Sequence, residues 1–334
     1  MRALAFNLLR PLQSDRVKQK ACLVLLCLSA SPALAQSGEP LMVRSEAVGN
    51  LFRLSPPIYG TFPAQPVAGI EMSRTYANLW AQDKRYLVDA EVIDDRAHIY
   101  MFLSSFCRFG LGFTSRSFAH TQTDQIAITF HDIFRINQDG RLDAGKNHTV
   151  FKIPDYDLEF SQTDLNRSIS DQINADVSFM LFRELTAPFE VGTTVFGSYE
   201  MAHGTPYSTG ARDRGIQLNV RYPWDYGAAY AAFTQLYFDT DDAIEVATIN
   251  QQKGWAIGAV QTFLPDQEIV GQLMVYQPVF RDLGQMSRNS YEVQLGYRLH
   301  WEKVFLEATL IENIFWLYNS PDWGISLGLR RSFP

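Results

Sequence analysis

Ser290-Tyr291-Glu292-Val293-Gln294-Leu295-Gly296-Tyr297-Arg298-Leu299-His300-Trp301 decides the fold. Tyr291, Val293, Leu295, Tyr297, Leu299 and Trp301 fall on one face of an extended chain. Glu292, Gln294, Gly296, Arg298 and His300 fall on the other. A period of two marks a β-strand lying between two unlike environments. After Glu302-Lys303 the pattern resumes, with Val304, Leu306, Ala308 and Leu310 opposed to Glu307, Thr309 and Asn313. It closes with Trp323, Ile325, Leu327, Leu329 and Phe333 opposed to Gly324, Ser326, Gly328 and Arg330. Such strands, with aromatic rings at their ends, fit a transmembrane β-barrel that is apolar toward lipid and polar toward its lumen.

Working back from that end, alternation predicts twelve strands: 66–80, 93–104, 107–117, 171–184, 187–199, 214–224, 228–239, 253–264, 267–280, 290–301, 304–314 and 322–333. The second fits least well, because Tyr100 and Phe102 fall on its polar face. The connections alternate. Those at 105–106, 185–186, 225–227, 265–266 and 302–303 are short, and those at 81–92, 118–170, 200–213, 240–252, 281–289 and 315–321 are long. Outer-membrane barrels have short periplasmic turns and longer outer loops, so both chain ends are expected on the periplasmic side. The expected fold is all-β: a twelve-stranded antiparallel transmembrane barrel over 66–334, with a long, partly helical outer insertion at 118–170. The run Arg330-Arg331-Ser332-Phe333-Pro334 resembles the C-terminal strand by which barrel-assembly machinery recognises its clients, with Pro334 following the aromatic.

Residues 1–35 carry Arg2, Arg10, Arg16, Lys18 and Lys20, an apolar run from Ala21 to Ala30, and Ala33-Leu34-Ala35 as a cleavage site. This is an export signal. The apolar run is too short to span a bilayer. Cleavage near Ala35 removes five basic residues and one acidic residue. The remaining 24 basic and 35 acidic residues give a net charge of -11. That balance argues against nucleic acid as a partner, since phosphate neutralisation needs surplus Lys and Arg. Cys22 and Cys27 leave with the signal, so Cys107 is a single thiol with no internal disulfide partner. Residues 36–65, with Pro40, Pro56, Pro57 and Pro63, read as an irregular lead-in, periplasmic or tucked into the barrel mouth. The remaining expected partner is outer-membrane lipid. No oligomeric state follows from the sequence.

If the apolar faces point outward, Arg108, Arg116, Asp176, Glu190, Arg221, Glu268, Glu292, Arg298, Glu307 and Arg330 face the lumen. Opposite charges there either line a narrow pore for small polar solutes or pair across the lumen and fill it. Loops as long as 118–170 are usually functional. Ile126, Phe130, Ile133 and Phe134 recur at helical spacing within Asp124 to Ile136, while Ile126, Ile128 and Phe130 also alternate as in a short strand. His131 and Asp132 lie in this acidic insertion, which reads as a solvated loop or as a lid or plug over the lumen. Neighbouring residues on a helix diverge, and the aspartate spacings do not match a calcium loop, so no metal and no cofactor is expected. His203 and Ser208 bring to mind the outer-membrane phospholipases. Those enzymes carry a tight His-x-Ser-Asn-Gly pattern, whereas here the two residues are five apart with no Asn-Gly. Trp80, Tyr222, Trp224, Trp255, Trp301, Trp316 and Trp323 are expected in interfacial girdles.

Two stretches carry a family resemblance. Val43-Arg44-Ser45-Glu46-Ala47-Val48-Gly49-Asn50-Leu51-Phe52-Arg53-Leu54-Ser55-Pro56-Pro57 and Phe130-His131-Asp132-Ile133-Phe134-Arg135-Ile136-Asn137-Gln138-Asp139-Gly140-Arg141 resemble the bacterial domain-of-unknown-function family 3187. The resemblance covers nearly the whole mature chain. It implies an exported, barrel-like protein and adds nothing about mechanism.

Overall fold

The computed structural model describes residues 39–61, 68–119, 124–134, 150–154, 158–160, 168–183, 189–201, 210–239, 249–313 and 319–333. The strands are β1 (Ala68–Asp83), β2 (Tyr86–Ser104), β3 (Cys107–Ala119), β4 (Val150–Ile153), β5 (Leu158–Phe160), β6 (Ser168–Arg183) and β7 (Glu190–Glu200). They continue as β8 (Arg214–Trp224), β9 (Gly227–Tyr237), β10 (Gln251–Leu264), β11 (Gln267–Tyr276), β12 (Ser290–Trp301), β13 (Val304–Glu312) and β14 (Trp323–Phe333). Helix α1 (Asp124–Phe134) lies between β3 and β4.

Each long strand pairs antiparallel with the next, and β1 pairs with both β2 and β14, so twelve strands close into a barrel. The two short strands β4 and β5 form a hairpin attached to the edge of β2 near Leu87–Asp89. The insertion after β3 is therefore not helical along its length. Its described parts are α1 and this hairpin. Among the described residues, no helix is long and apolar enough to cross a membrane; any crossing is made by strands.

The alternation has the expected orientation. Leu295, Leu310 and Ile325 are exposed neighbours in register across β12, β13 and β14. Gln294, Thr309 and Ser326, on the opposite face, are buried. Leaving one side chain of this size in water costs roughly 1.5–3 kcal/mol relative to burial. A belt of them around a closed sheet is the outward apolar band of a transmembrane barrel's pattern. Tyr222, Trp224, Tyr226 and Trp301 are exposed near the short turns, and Tyr199, Tyr237 and Trp255 toward the opposite end. Trp80 was expected in such a girdle but is buried, only 1% exposed. Trp316 lies outside the described residues.

One expected connection is absent. Residues 81–92 are not a loop: β1 and β2 stay paired as far as Asp83 and Tyr86, with a tight turn at 84–85. The reason is a switch of chemistry along the inward faces. On β1 the inward residues run Glu71, Ser73, Thr75 and then Ala77, Leu79, Ala81. On β2 they run His98, Arg96, Asp94 and then Val92, Ala90, Val88. Past Thr75 the inside becomes apolar, and Asp89 and Glu91 are buried on the other face. The alternation that marks a lipid-facing strand ends there, although the strand continues.

Candidate functional site

The lumen holds the chain's own leading segment. Each of residues 40–59 is buried, although Pro40, Pro56 and Pro57 make the stretch irregular. It enters at the end carrying the short turns, where Arg298 donates from Nη1 to the Glu39 carbonyl at 2.7 Å and from Nη2 to the Pro40 carbonyl at 2.5 Å. Val48–Phe52 form a single 3-10 turn at the opposite end. The segment then returns, and at the turn end the Thr61 hydroxyl donates to Glu190 Oε2 at 2.7 Å. Arg44 and Pro57 form an isolated antiparallel bridge, and the Ser55 hydroxyl donates to the Ser45 carbonyl at 2.8 Å. Residues 39–61 are thus a hairpin inserted into the barrel, with two arms and a tip.

The arms are held by polar wall residues. The Met42 amide donates to Glu307 Oε1 at 2.9 Å, and the Ser45 hydroxyl to Glu292 Oε1 at 2.6 Å. On the returning arm, the Leu54 amide donates to Asp213 Oδ2 at 3.0 Å and the Tyr59 amide to Gln217 Oε1 at 2.8 Å. The Arg44 guanidinium pairs with Asp94, which also accepts from Arg116 Nε at 2.8 Å. Arg116 Nη1 reaches the carbonyls of Asn50, Leu51 and Arg53 at 2.7, 3.1 and 3.0 Å. Arg53 lies 3.8 Å from Asp213. Two wall glycines take hairpin side chains: a Cβ on Gly296 would collide with Leu41 Cδ2, and one on Gly328 with Met42 Cε.

The tip rests in an apolar layer. Val48, Leu51 and Phe52 cluster with Leu79, Val88, Val92, Phe151, Ile169 and Phe280. The Phe52 and Phe151 rings meet edge-on at 5.4 Å.

Burial shifts the hairpin's ionisable groups. The Glu46 carboxyl is pushed up to about 8 by desolvation, aided by Asp94 and opposed by Arg116 and Arg44. It therefore keeps its proton at neutral pH. Burial lowers the Arg44 guanidinium to about 10, which leaves it charged.

The structure places the ten residues read as pore-lining in ion pairs and hydrogen bonds rather than along an open lining. Glu268, Arg298 and Glu307 stand in one register row across β11, β12 and β13, with Arg298 Nε 2.7 Å from Glu307 and Nη1 3.6 Å from Glu268. Arg221 and Arg183 both reach Glu190, and Arg330 reaches Glu71 at 2.8 Å and pairs with Glu39. Arg108 stands 3.8 Å from Asp176 and over the Tyr59 and Tyr100 rings. Tyr100, which broke the polar pattern in sequence, is thus the aromatic neighbour of an inward charge. Sequence reading missed Glu71, Asp94, Arg96 and His98. His98 Nε2 sits 2.7 Å from Asp176 Oδ2, and a Cβ at Gly110 would collide with both groups. A small crevice, with about 20 Å³ open to a water-sized sphere, remains between Arg44, Pro57 and Tyr59 of the hairpin and Asn174 and Asp176 of the wall.

His203 and Ser208 lie outside the described residues. His131 and Asp132 are in α1; Asp132 is exposed, and the His131 side chain lies outside the described set. Cys107 is a free thiol at the start of β3. Among the described residues, no group of three or more His, Cys, Asp or Glu is placed to hold a metal ion.

A family model described as "Protein of unknown function (DUF3187)" matches residues 18–333. The chain belongs to this family. No curated protein matches it. Solved structures similar to it include the KdgM porin, at TM-score 0.43 and 9% identity, covering 80% of this chain and 99% of that one. They also include the CymD monoaromatic hydrocarbon channel, at 0.38 and 9%, covering 80% and 88%. The Pseudomonas putida toluene transporter TodX matches at 0.35 and 9%, covering 80% and 88%. Likeness this distant bears on neither substrate nor mechanism.

Proposed function

We propose that this family member is an outer-membrane barrel closed by its own leading hairpin, residues 39–61, and that it passes small polar solutes when the hairpin leaves. The supporting observation is the polarity of the wall beneath the arms. Glu292, Gln294, Thr309, Ser326, Gln272, Gln217 and Thr234 are all buried and point inward. Glu292 and Gln217 bond the hairpin, which a permanent filling would also need, but Gln272, Gln294, Thr309, Ser326 and Thr234 bond other wall side chains, where apolar packing of the same volume is often as stable. A wall exposed to water when its occupant departs needs them. The export signal ending near Ala35, the lipid-facing belt and the C-terminal strand ending in Phe333 support an outer-membrane location and assembly by the barrel-assembly machinery.

A second reading is a permanently closed structural barrel. The apolar layer around Val48, Leu51 and Phe52 favours it, because withdrawing the tip exposes that layer. Planar-bilayer recording decides between the two. The full chain is expected to be mostly silent, and a variant lacking residues 39–61 to conduct. A deletion variant that folds as a barrel and stays silent overturns the gated reading in favour of the structural one.

A further inference from the structure

The wall meets the hairpin mainly through the hairpin's backbone. Glu307, Asp213 and Gln217 accept from the amides of Met42, Leu54 and Tyr59. Arg298 and Arg116 donate to the carbonyls of Glu39, Pro40, Asn50, Leu51 and Arg53. Every non-proline residue of any polypeptide offers one such donor and one such acceptor, and buried ones must be paired. Among the described residues the hairpin supplies part of this pairing itself, through one isolated bridge, the 3-10 turn at its tip and bonds from Arg44 and Ser55 across its arms. Oppositely equipped wall groups, carboxylate or amide oxygens for N–H and guanidinium for C=O, supply the rest. Other contacts depend on side-chain identity: Arg44 pairs with Asp94, Arg53 lies by Asp213, Glu39 pairs with Arg330, and Ser45, Asn50 and Thr61 bond Glu292, Gln252 and Glu190. The hollows at Gly296 and Gly328 admit apolar side chains of the size of Leu41 and Met42.

We propose that the lumen is a binding channel for an extended polypeptide hairpin bearing arginine, and that residues 39–61 are its covalently attached occupant. This rests on the gated reading in one respect: the attached hairpin must be able to leave. A second exported chain, presented at the turn end, would then take its place.

The test uses the refolded barrel lacking residues 39–61 and three synthetic peptides, with binding followed by calorimetry in detergent and block by conductance. The first peptide is 39–61 itself. The second carries Arg44→Ala and Arg53→Ala. The third keeps both arginines and the prolines and replaces the remaining residues outside 48–52 with Ala or Ser. The first and third are expected to bind within about tenfold of one another, and the second to bind about tenfold or more weakly, because it removes the guanidinium partners that the hairpin gives Asp94 and Asp213. Failure of every peptide to bind overturns the proposal, as does failure of the third where the first succeeds. Calorimetry reads peptide binding even if the deleted barrel proves non-conducting, so the two ideas fail separately. Should the deletion variant not fold, the full chain is refolded with a protease site at 64–66 and cut afterwards. Exchange of the freed hairpin for each labelled peptide then supports or overturns the proposal by the same criteria.

Discussion

The two ends of the lumen are built on opposite principles. Beneath the arms of the hairpin, the wall is charged and hydrogen-bonded, with Glu268, Arg298 and Glu307 in one row and Asp94 shared by Arg44 and Arg116. Around its tip the wall is Leu79, Val88, Val92 and Phe280. The polar groups beneath the arms can exchange their partners for water, but Leu41, Val43, Leu54 and Ile58 of the arms also cluster with Val260, Val270, Leu236 and Met274 of the wall, which departure would wet. The apolar end cannot, because Val48, Leu51 and Phe52 and the layer they leave would all be wetted. Under the proposed gated reading, the tip is the latch and the arms are the filling with the larger polar share.

This division makes testable demands. The largest effect is expected from Arg116→Met, which leaves Asp94 with Arg44 alone and removes the donor shared by three hairpin carbonyls. Breaking such a buried arrangement costs about 3–5 kcal/mol. Proteolysis of 39–61 from the turn side and open events in bilayers should both rise steeply. Phe52→Ala removes the ring that meets Phe151 and should release the latch at a cost of about 3 kcal/mol. Its openings should be long-lived rather than more numerous, if the tip is the last part to re-dock.

Acidity offers a gentler test. Outside the barrel the Glu46 carboxyl has its usual value of 4.5; inside, among Asp94, Glu292, Arg44 and Arg116, it stands at about 8. The inserted hairpin thus binds more protons between those limits. Closure should be strongest below about 4.5, weaken as pH rises toward 8 and level off above, by ~1.4 kcal/mol per pH unit where steepest. Conductance of the full chain measured across that window should show the slope, and Glu46→Gln should flatten it. The smallest effect belongs to Lys152→Ala, which removes an exposed pair with Glu159 on the β4–β5 hairpin. It should shift stability by less than about 1 kcal/mol in denaturant unfolding and leave closure unchanged.

The barrel was legible because a lipid-facing strand must alternate, and alternation survives without any knowledge of partners. Parity alone put Glu268, Arg298 and Glu307 on the inside, and register then brought them together. The hairpin was not legible, because a segment held by side chains from many strands follows no period of its own. Its one warning was composition: Leu41, Met42, Val43, Val48, Leu51, Phe52, Leu54, Ile58 and Tyr59 are too many apolar residues for a stretch exposed to solvent. The extension of β1 and β2 was hidden for a related reason. Where both faces are buried, as at Val88, Asp89, Ala90 and Glu91, the two-sided pattern that reveals a strand is lost.

The seam where β1 meets β14 joins Ala68 to Phe333, two residues 265 positions apart. Contacts that span so much sequence are the slowest to form. Residues 39–61 lie just ahead of β1 and touch wall residues from Asp94 on β2 to Glu307 on β13. They can therefore gather the growing sheet around themselves before its two edges meet. On that view the hairpin is a mandrel during biogenesis, and the ring is wound on it rather than corked afterwards.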